Sequence, residues 1–509
     1  MSNDLIFGKN PLENVVSIEV DGNTATIFTE KAGVVSNTKV PHKFWLLSNE
    51  QLDPSWVKMK GEQHYCWGKQ VDSFFKVKNI TDRYKDKDIF QVRSTVEALQ
   101  IKDGYTYFKG LKHNEVSILS FDIETNGLIQ NDDSRIFLIS NTFRVNGEIQ
   151  RKLFSYDEYE NDGEMLNDWC DWVCHINPSI MCGHNIFGYD LPYMNHVAKL
   201  HNTVLTLGRN NSKIKFMPYE SKYRIDGSRT LQYFKVNVYG REMVDTMFLA
   251  YKYDIGRNYE SYGLKPIIKH EKLEVEGREF YDAMTIKNNY KDPVEWAKIK
   301  RYAEHDADDA LALYDLMAPA IFYFTRSIPK PFQTMVESAT GSQLNALMVR
   351  SYLQKQHSIP KASEPIAFEG AYSFGIPGIY RNVAKIDVKS EYPSCILQYE
   401  IYDREKDPEG NFYKMVEFFT AERFRNKALH KETGDKYYYD MEQTQKVAIN
   451  SSYGLLGATG LAYNSPKNAA LVTEKGRETI ATATLWASGK DIKEWVKLVK
   501  DEEETEEVA

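Results

Sequence analysis

Asp122 and Glu124 close an apolar run, Val116–Ile123, and stand at i and i+2. In a strand that spacing points both side chains to one face. Two carboxylates side by side in a partly buried position repel each other, and a cation between them removes the cost. All-oxygen donor sets of this kind select magnesium or manganese. Two further segments supply partners. His184-Asn185-Ile186-Phe187-Gly188-Tyr189-Asp190 puts an acid at the start of a helix-like stretch. Tyr302-Ala303-Glu304-His305-Asp306 has a helical pattern that stacks Tyr302 and Asp306 on one face. Asp122, Glu124, Asp190 and Asp306 are four acids able to surround two ions about 4 Å apart, an arrangement that serves phosphodiester hydrolysis. Tyr302 is positioned to orient the attacking water, since a buried phenol takes a polar partner.

A second constellation follows. Val383-Ala384-Lys385-Ile386-Asp387-Val388 reads as a strand ending in an acid, continued by Lys389-Ser390-Glu391-Tyr392-Pro393-Ser394. In Lys446-Val447-Ala448-Ile449-Asn450-Ser451-Ser452-Tyr453-Gly454, Lys446, Asn450 and Tyr453 share one helical face. A lysine on such a stripe suits a triphosphate, acting as a point charge. Arg423 and Lys427, also one turn apart, form a second cationic clamp for the same ligand.

F-D-I-E-T, then N-x3-Y-D, then Y-x3-D resemble, in order, the three motifs of the proofreading 3′–5′ exonuclease of family B (DNA polymerase alpha-like) DNA polymerases. Gly240–Asp245 and Ser261-Tyr262-Gly263-Leu264 are similar to segments lying between the second and third motifs. In phage members a β-hairpin in this interval helps to separate primer from template, and the basic stretch near 213–235 has a similar position. D-V-K-S-E-Y-P-S and K-V-A-I-N-S-S-Y-G resemble polymerase motifs A and B, and Val472–Arg477 is like the segment returning to the palm. The resemblance, nearest to phage enzymes of T-even type, implies two Mg2+ (or Mn2+) ions per active site, held by Asp122, Glu124, Asp190 and Asp306 in one site. In the other, Asp387 and the Val388 carbonyl would hold metal. Ser390, Glu391, Tyr392, Arg423, Lys427, Lys446, Asn450 and Tyr453 would form the nucleotide site, with Tyr392 excluding a 2′-hydroxyl. Glu391 stands where the family usually has Leu, so an acid either weakens nucleotide binding or turns away.

Motif C, the Y-x-D-T-D aspartate pair, is missing: the D-x-D triplets at 86–88 and 306–308 both precede motif A. Asp387 alone cannot hold two magnesium ions between primer end and triphosphate. The expectation is therefore the amino-terminal subunit of a split polymerase. Its partner would be a carboxyl-terminal subunit carrying motif C and the thumb, with primer-template DNA and dNTPs as substrates and a replication clamp reached through that partner. Alternatives are a free-standing 3′–5′ exonuclease with a relic polymerase region, or a non-catalytic nucleic-acid-binding scaffold.

The elements positioning these residues are readable along the 509-residue chain. The expected fold class is α+β and α/β multidomain. Val16–Val20 and Thr24–Phe28 flank Asp21-Gly22-Asn23 as a hairpin, and Tyr105–Phe108 follows Asp103-Gly104 in the same style, giving a β-rich domain over 1–112. Strands followed by helices at 164–176, 190–201, 294–317 and 339–356 place an α/β domain over 113–335, RNase H-like by the resemblance. Residues 336–509 would be a partial palm with helical fingers.

Composition narrows the rest. The 66 aromatics exclude a disordered chain, and no run of about 18 apolar residues spans a membrane. The net charge of −8 comes largely from the tail 501–509, without which 64 bases face 66 acids. An amino terminus without a signal pattern and an odd set of five cysteines point to the cytoplasm, for a phage enzyme that of the host. Cys170, Cys174, Cys182, His175 and His184 match no common zinc spacing and read as packing. Arg209, Lys213, Lys215, Lys222, Arg224 and Arg229, with Asn210-Asn211-Ser212 and Asp226-Gly227-Ser228 among them, read as an exposed loop or hairpin that is either simply solvated or in contact with phosphate.

Overall fold

The structure, a computed structural model, describes residues 4–225, 229–274, 281, 283–372, 375, 378–383, 385–492 and 494. The tail 501–509 and the Asp226-Gly227-Ser228 turn lie outside them. A short helix α1 (Asp4–Phe7) leads into an antiparallel sheet of β1 (Val15–Asp21), β2 (Thr24–Lys31) and β3 (Val34–Pro41). Asp21 pairs with Thr24 across the expected hairpin turn, where Gly22 takes a positive φ. A second sheet follows: β4 (Phe44–Ser48), β5 (Val57–Lys58), β6 (Trp67–Val71) and β7 (Ile89–Phe90), with α2 (Phe74–Arg83) before β7.

Tyr105–Phe108 is not a strand. The turn preceding it ends α3 (Thr95–Asp103), where Gly104 is the left-handed C-cap and returns its N–H to Gln100. A glycine after an acid satisfies either a hairpin or a helix stop, and the capping need decided here.

The central sheet has the order β10-β9-β8-β11-β16, made of β8 (Ile118–Thr125), β9 (Ile136–Val145), β10 (Glu148–Ser155), β11 (Ile180–Gly183) and β16 (Glu242–Asp245). β8, β11 and β16 run parallel, while β9 is antiparallel to both neighbours. α4 (Asp162–Ile176) and α5 (Asp190–Leu200) flank β11 in the chain. Between β11 and β16 the chain forms a two-tier hairpin from β12 (Lys215–Phe216), β13 (Ser221–Arg224), β14 (Thr230–Tyr233) and β15 (Val236–Asn237). After β16 come α6 (Thr246–Tyr253), α7 (Leu264–His270), α8 (Ala283–Asn289), α9 (Pro293–Met317), α10 (Pro319–Thr325), α11 (Phe332–Glu337) and α12 (Thr340–Leu353). α9 begins as its sequence dictates, with Asp292 capping the N–H groups of Val294 and Glu295 and proline in the first turn.

The carboxyl-terminal region is helical: α13 (Glu391–Gln398), α14 (Asn411–Thr433), α15 (Lys436–Gly457) and α16 (Pro466–Ser488). α14 and α15 form an antiparallel pair. The expected strand at 383–388 is absent among its described residues, which are exposed and outside any ladder. An apolar alternation becomes a strand only where a neighbouring strand takes its backbone groups, and none lies beside it among the described residues. No described helix is long and apolar enough to cross a membrane.

Candidate active site

β8 carries Asp122 and Glu124 to the carboxyl end of the parallel strands, the edge where open α/β sheets place ligand sites. Asp306 arrives from the middle of α9, which packs on β8 and β9. One carboxylate oxygen from each of Asp122, Glu124 and Asp306 lies within 4.8 Å of the others. Such an all-oxygen triad fits a hard divalent cation. Burial first, and then the charges of Asp190, Asp306 and Glu124, push the Asp122 carboxyl well above its usual range. Glu124 is pushed up to about 8 by burial and by Asp306.

Asp190 stands beside the triad at the amino end of α5, buried, and accepts from the backbone of Ile123. Burial raises it to about 7 despite that bond. The loop before it is held from below. The Asp245 carboxylate, at the end of β16, accepts from Asn185 N (2.8 Å), Phe187 N (3.3 Å) and Met247 N (3.0 Å). Gly183 permits the tight passage, because a Cβ there would stand 2.5 Å from the Phe121 carbonyl oxygen. His184 is locked by Thr246 Oγ1 (2.9 Å) and the Tyr262 carbonyl (2.8 Å), and burial lowers it to about 4, so it is neutral.

Lys265 on α7 is the cation that the sequence reading missed. Its ammonium donates to the Tyr302 hydroxyl and stands 3.6 Å from Asp306 Oδ2. Tyr302 and Asp306 do share a face of α9, and Lys265 ties them together. It stands one residue beyond the Ser261–Leu264 segment, and a single lysine carries no periodic signal.

On the outer side, the loop 126–135 is pinned by Tyr189 Oη to the Gly127 carbonyl (3.2 Å), Tyr193 Oη to Asn126 Oδ1 (2.9 Å) and Asn126 Nδ2 to the Asp133 carbonyl (2.7 Å). It nevertheless presents Leu128 and Ile129 75% and 78% exposed. The hairpin keeps Lys213, Lys215, Lys222, Arg224 and Arg229 at the surface. Arg209 departs from the expected exposed loop: it is folded inward onto the carbonyls of Asn177, Pro178 and Gly240. The cysteine–histidine group does not converge: Cys170 and Cys182 are buried thiols pushed up to about 12 by burial, Cys174 is half-buried and His175 is exposed.

The second constellation is partly assembled. Arg423 Nη1 donates to Ser390 Oγ (2.6 Å), and its Nε stands 3.4 Å from Glu442. Tyr392 and Tyr453 pack with ring centroids 4.7 Å apart. Lys427, Lys446 and Asn450 are exposed on α14 and α15, and Asp387 and Val388 are exposed ahead of α13. Glu391 turns towards α16, where its Oε1 would meet a Cβ on Gly476 at 3.5 Å, and burial and the charge of Asp387 raise its carboxyl.

Two family models match the chain: DNA polymerase family B, exonuclease domain, over residues 70–267, and DNA polymerase family B over residues 393–507. Together they cover more than half of it. The chain belongs to DNA polymerase family B. Among curated family members, a DNA polymerase of Archaeoglobus fulgidus is 23% identical over 415 residues, covering 74% of this chain and 49% of that protein. DNA polymerase II of Escherichia coli K12 is 24% identical, covering 68% of this chain and 46% of its own. The DNA polymerase delta catalytic subunit of Candida albicans is 24% identical over 73% of this chain and 41% of its own. The chain thus spans about half the length of the curated relatives it matches. The solved family B DNA polymerase of the hyperthermophilic archaeon Pyrobaculum calidifontis shares the fold, with a TM-score of 0.75 at 15% identity over 92% of this chain and 71% of that one. In this family B chain, Asp122, Glu124, Asp190 and Asp245 fall within the exonuclease-domain match, Asp306 lies between the two matches, and α13 to α16 fall largely within the second.

Proposed function

We propose that this family B chain is a 3′–5′ proofreading exonuclease joined to half of a nucleotidyl-transfer site, and that it is the amino-terminal subunit of a split, phage-type DNA polymerase working in the host cytoplasm. The observation that carries the exonuclease reading is the Asp122–Glu124–Asp306 triad within 4.8 Å, with Asp190 beside it. Bound Mg2+ or Mn2+ would supply an activated water and a neutralised leaving oxygen. Asp122, Glu124, Asp190 and Asp306 would hold the ions, and Tyr302, steadied by Lys265, would orient the water. Leu128 and Ile129, exposed on a pinned loop, offer apolar area to the bases of a single-stranded 3′ end. The hairpin's basic residues suit phosphate contact near the primer–template fork.

Purified chain given a 5′-labelled single strand and Mg2+ should shorten it from the 3′ end, with EDTA and Asp122→Ala each abolishing the reaction. An intact strand under those conditions would overturn the reading.

The split reading draws support from the motif A segment, where Ile379, Tyr380, Val383 and Ile386 are all more than half exposed. Apolar side chains in such a row favour burial against a partner. The partner is taken to be the carboxyl-terminal subunit with motif C and thumb, bringing primer-template DNA, dNTPs and clamp contacts. Co-expression with a chain containing Y-x-D-T-D should yield a heterodimer that polymerises. Templated incorporation by this chain alone would sink the idea.

A further inference from the structure

Arg209 and Arg241 pack side by side where β2 and β3 meet the end of α4. They share two neutral acceptors. Asn177 Oδ1 accepts from Arg209 Nε (2.9 Å) and from Arg241 Nη1 (2.9 Å). The Pro178 carbonyl accepts from Arg209 Nη2 (3.2 Å) and from Arg241 Nη1 (2.5 Å). Neither guanidinium has a carboxylate within ion-pair distance among the described residues. Glu30 and Glu242 favour the Arg209 charge from farther off, Glu30 through the Ser179 hydroxyl, which accepts from Arg209 Nη2 (3.0 Å) and donates to the Glu30 carboxylate. Glu30 takes Ser117 N (2.9 Å) and Ser179 Oγ (2.5 Å), and Glu242 takes Gln333 N (2.7 Å).

Arg241 is buried and Arg209 half-buried; joined through neutral oxygens, with Glu30 reached only through the Ser179 hydroxyl, they place two positive charges side by side against no carboxylate in direct contact. Burial, and for Arg209 the charge of Arg241, depress these guanidiniums to about 9 and about 10. A structural pair would ordinarily be offset by a carboxylate in contact. Here the guanidiniums line a cavity of about 200 Å³, whose other walls include Phe28, Val35, Asn37, Cys174 and Asn211. Asn37 and Asn211 are exposed at its edge.

We propose that this cavity binds a phosphate monoester, with Arg209, Arg241 and the amides of Asn37 and Asn211 around its oxygens. Guanidinium groups and amides on several sides match a tetrahedral dianion better than a planar carboxylate. The volume is below the roughly 300 Å³ at which drug-sized ligands are usually enclosed, so it suits inorganic phosphate or the phosphate end of a mononucleotide. It shares no residue with the acidic triad.

The test is titration calorimetry of the full chain in EDTA, with inorganic phosphate and with dAMP as separate probes. EDTA removes divalent cations, so binding there does not depend on the exonuclease reading. Saturable binding of one or both probes is expected. Asn37→Asp should weaken it by at least about tenfold through charge repulsion. Val35→Trp, which fills the cavity without adding charge, should abolish it. Both variants should still degrade single strands as the parent does. Tighter dAMP than phosphate would assign a mononucleotide, and equal or weaker dAMP would assign free phosphate. The proposal is overturned if neither probe saturates at tens of millimolar, if both variants bind as the parent does, or if Asp122→Asn removes the binding.

Discussion

Lys265 Nζ donates to the Tyr302 hydroxyl and stands 3.6 Å from Asp306 Oδ2, so one ammonium serves two residues on the same face of α9. It also lowers Asp122 and Glu124 against the other acids. Lys265→Met should therefore cut single-strand hydrolysis by ~10²-fold at saturating metal, the scale of a lost positioned proton-handling group. Lys265→Arg, which keeps charge but not shape, should fall between. Single-turnover rates at matched metal concentration check this, and an unchanged rate in Lys265→Met would remove the lysine from the site.

The raised carboxyls make a prediction about stability without metal. A carboxyl whose folded value lies above its unfolded value binds its proton more tightly when folded, so stability is lost as pH rises towards the folded value. Glu124 at about 8 and Asp190 at about 7 set the window at roughly pH 4 to 8. In EDTA the melting temperature should fall as pH climbs from 6 to 8.5, and Mn2+ should restore it. Glu19 and Glu242, each raised to about 7 chiefly by burial, add to the slope, so the comparison is with Glu124→Gln. That variant should have a shallower slope and gain ~1–3 kcal/mol at pH 8 without metal. A slope identical to the parent's would contradict the assignment.

Asp245 touches no proposed substrate but holds the 185–187 backbone that precedes Asp190. Asp245→Ala should lower kcat by ~10–100-fold, the cost of a displacement near 1 Å, with little change in KM. Asp245→Asn keeps an acceptor for one of the bonds and should recover part of the rate. Equal loss in both would point to general destabilisation, which circular dichroism melting would reveal.

Lys330 and Glu97 form a mostly buried ion pair at 2.8 Å that ties the chain ahead of α11 to α3. Lys330→Met alone should destabilise by ~3 kcal/mol, because it strands a carboxylate. Lys330→Met with Glu97→Leu should recover most of that. Denaturant midpoints of the two variants decide it.

Strand β8 and the helices α4, α5, α9 and α12 are visible in the sequence because local period and burial agree, whereas the four strands that flank β8 in the central sheet were not read from it. The Asp122–Glu124 alternation, the Asp190 helix start and the Tyr302–Asp306 turn are each short-range patterns, and the structure has all three. Gly104 and the 383–388 segment were misread because a turn residue and an apolar alternation take their meaning from neighbours far along the chain. Lys265 and the inward fold of Arg209 went unseen for the same reason: their partners, Asp306 and Gly240, lie 41 and 31 positions away. The neighbours of Glu391 in the sequence suit either direction of its side chain, and its lean towards Gly476 of α16 is again a long-range contact.

The main hydrophobic core is continuous from Val15 and Ile18 in the first sheet, through Phe121 and Trp169 beneath the acids, to Phe412, Leu455 and Val472 in the last helices. Regions that a reader of the sequence would cut apart are therefore welded. A protease nicking an exposed connection should leave fragments that copurify, and heat should melt the whole assembly in one cooperative step. Excising the exonuclease portion for separate use would strip apolar area from both pieces, so the two are better engineered together.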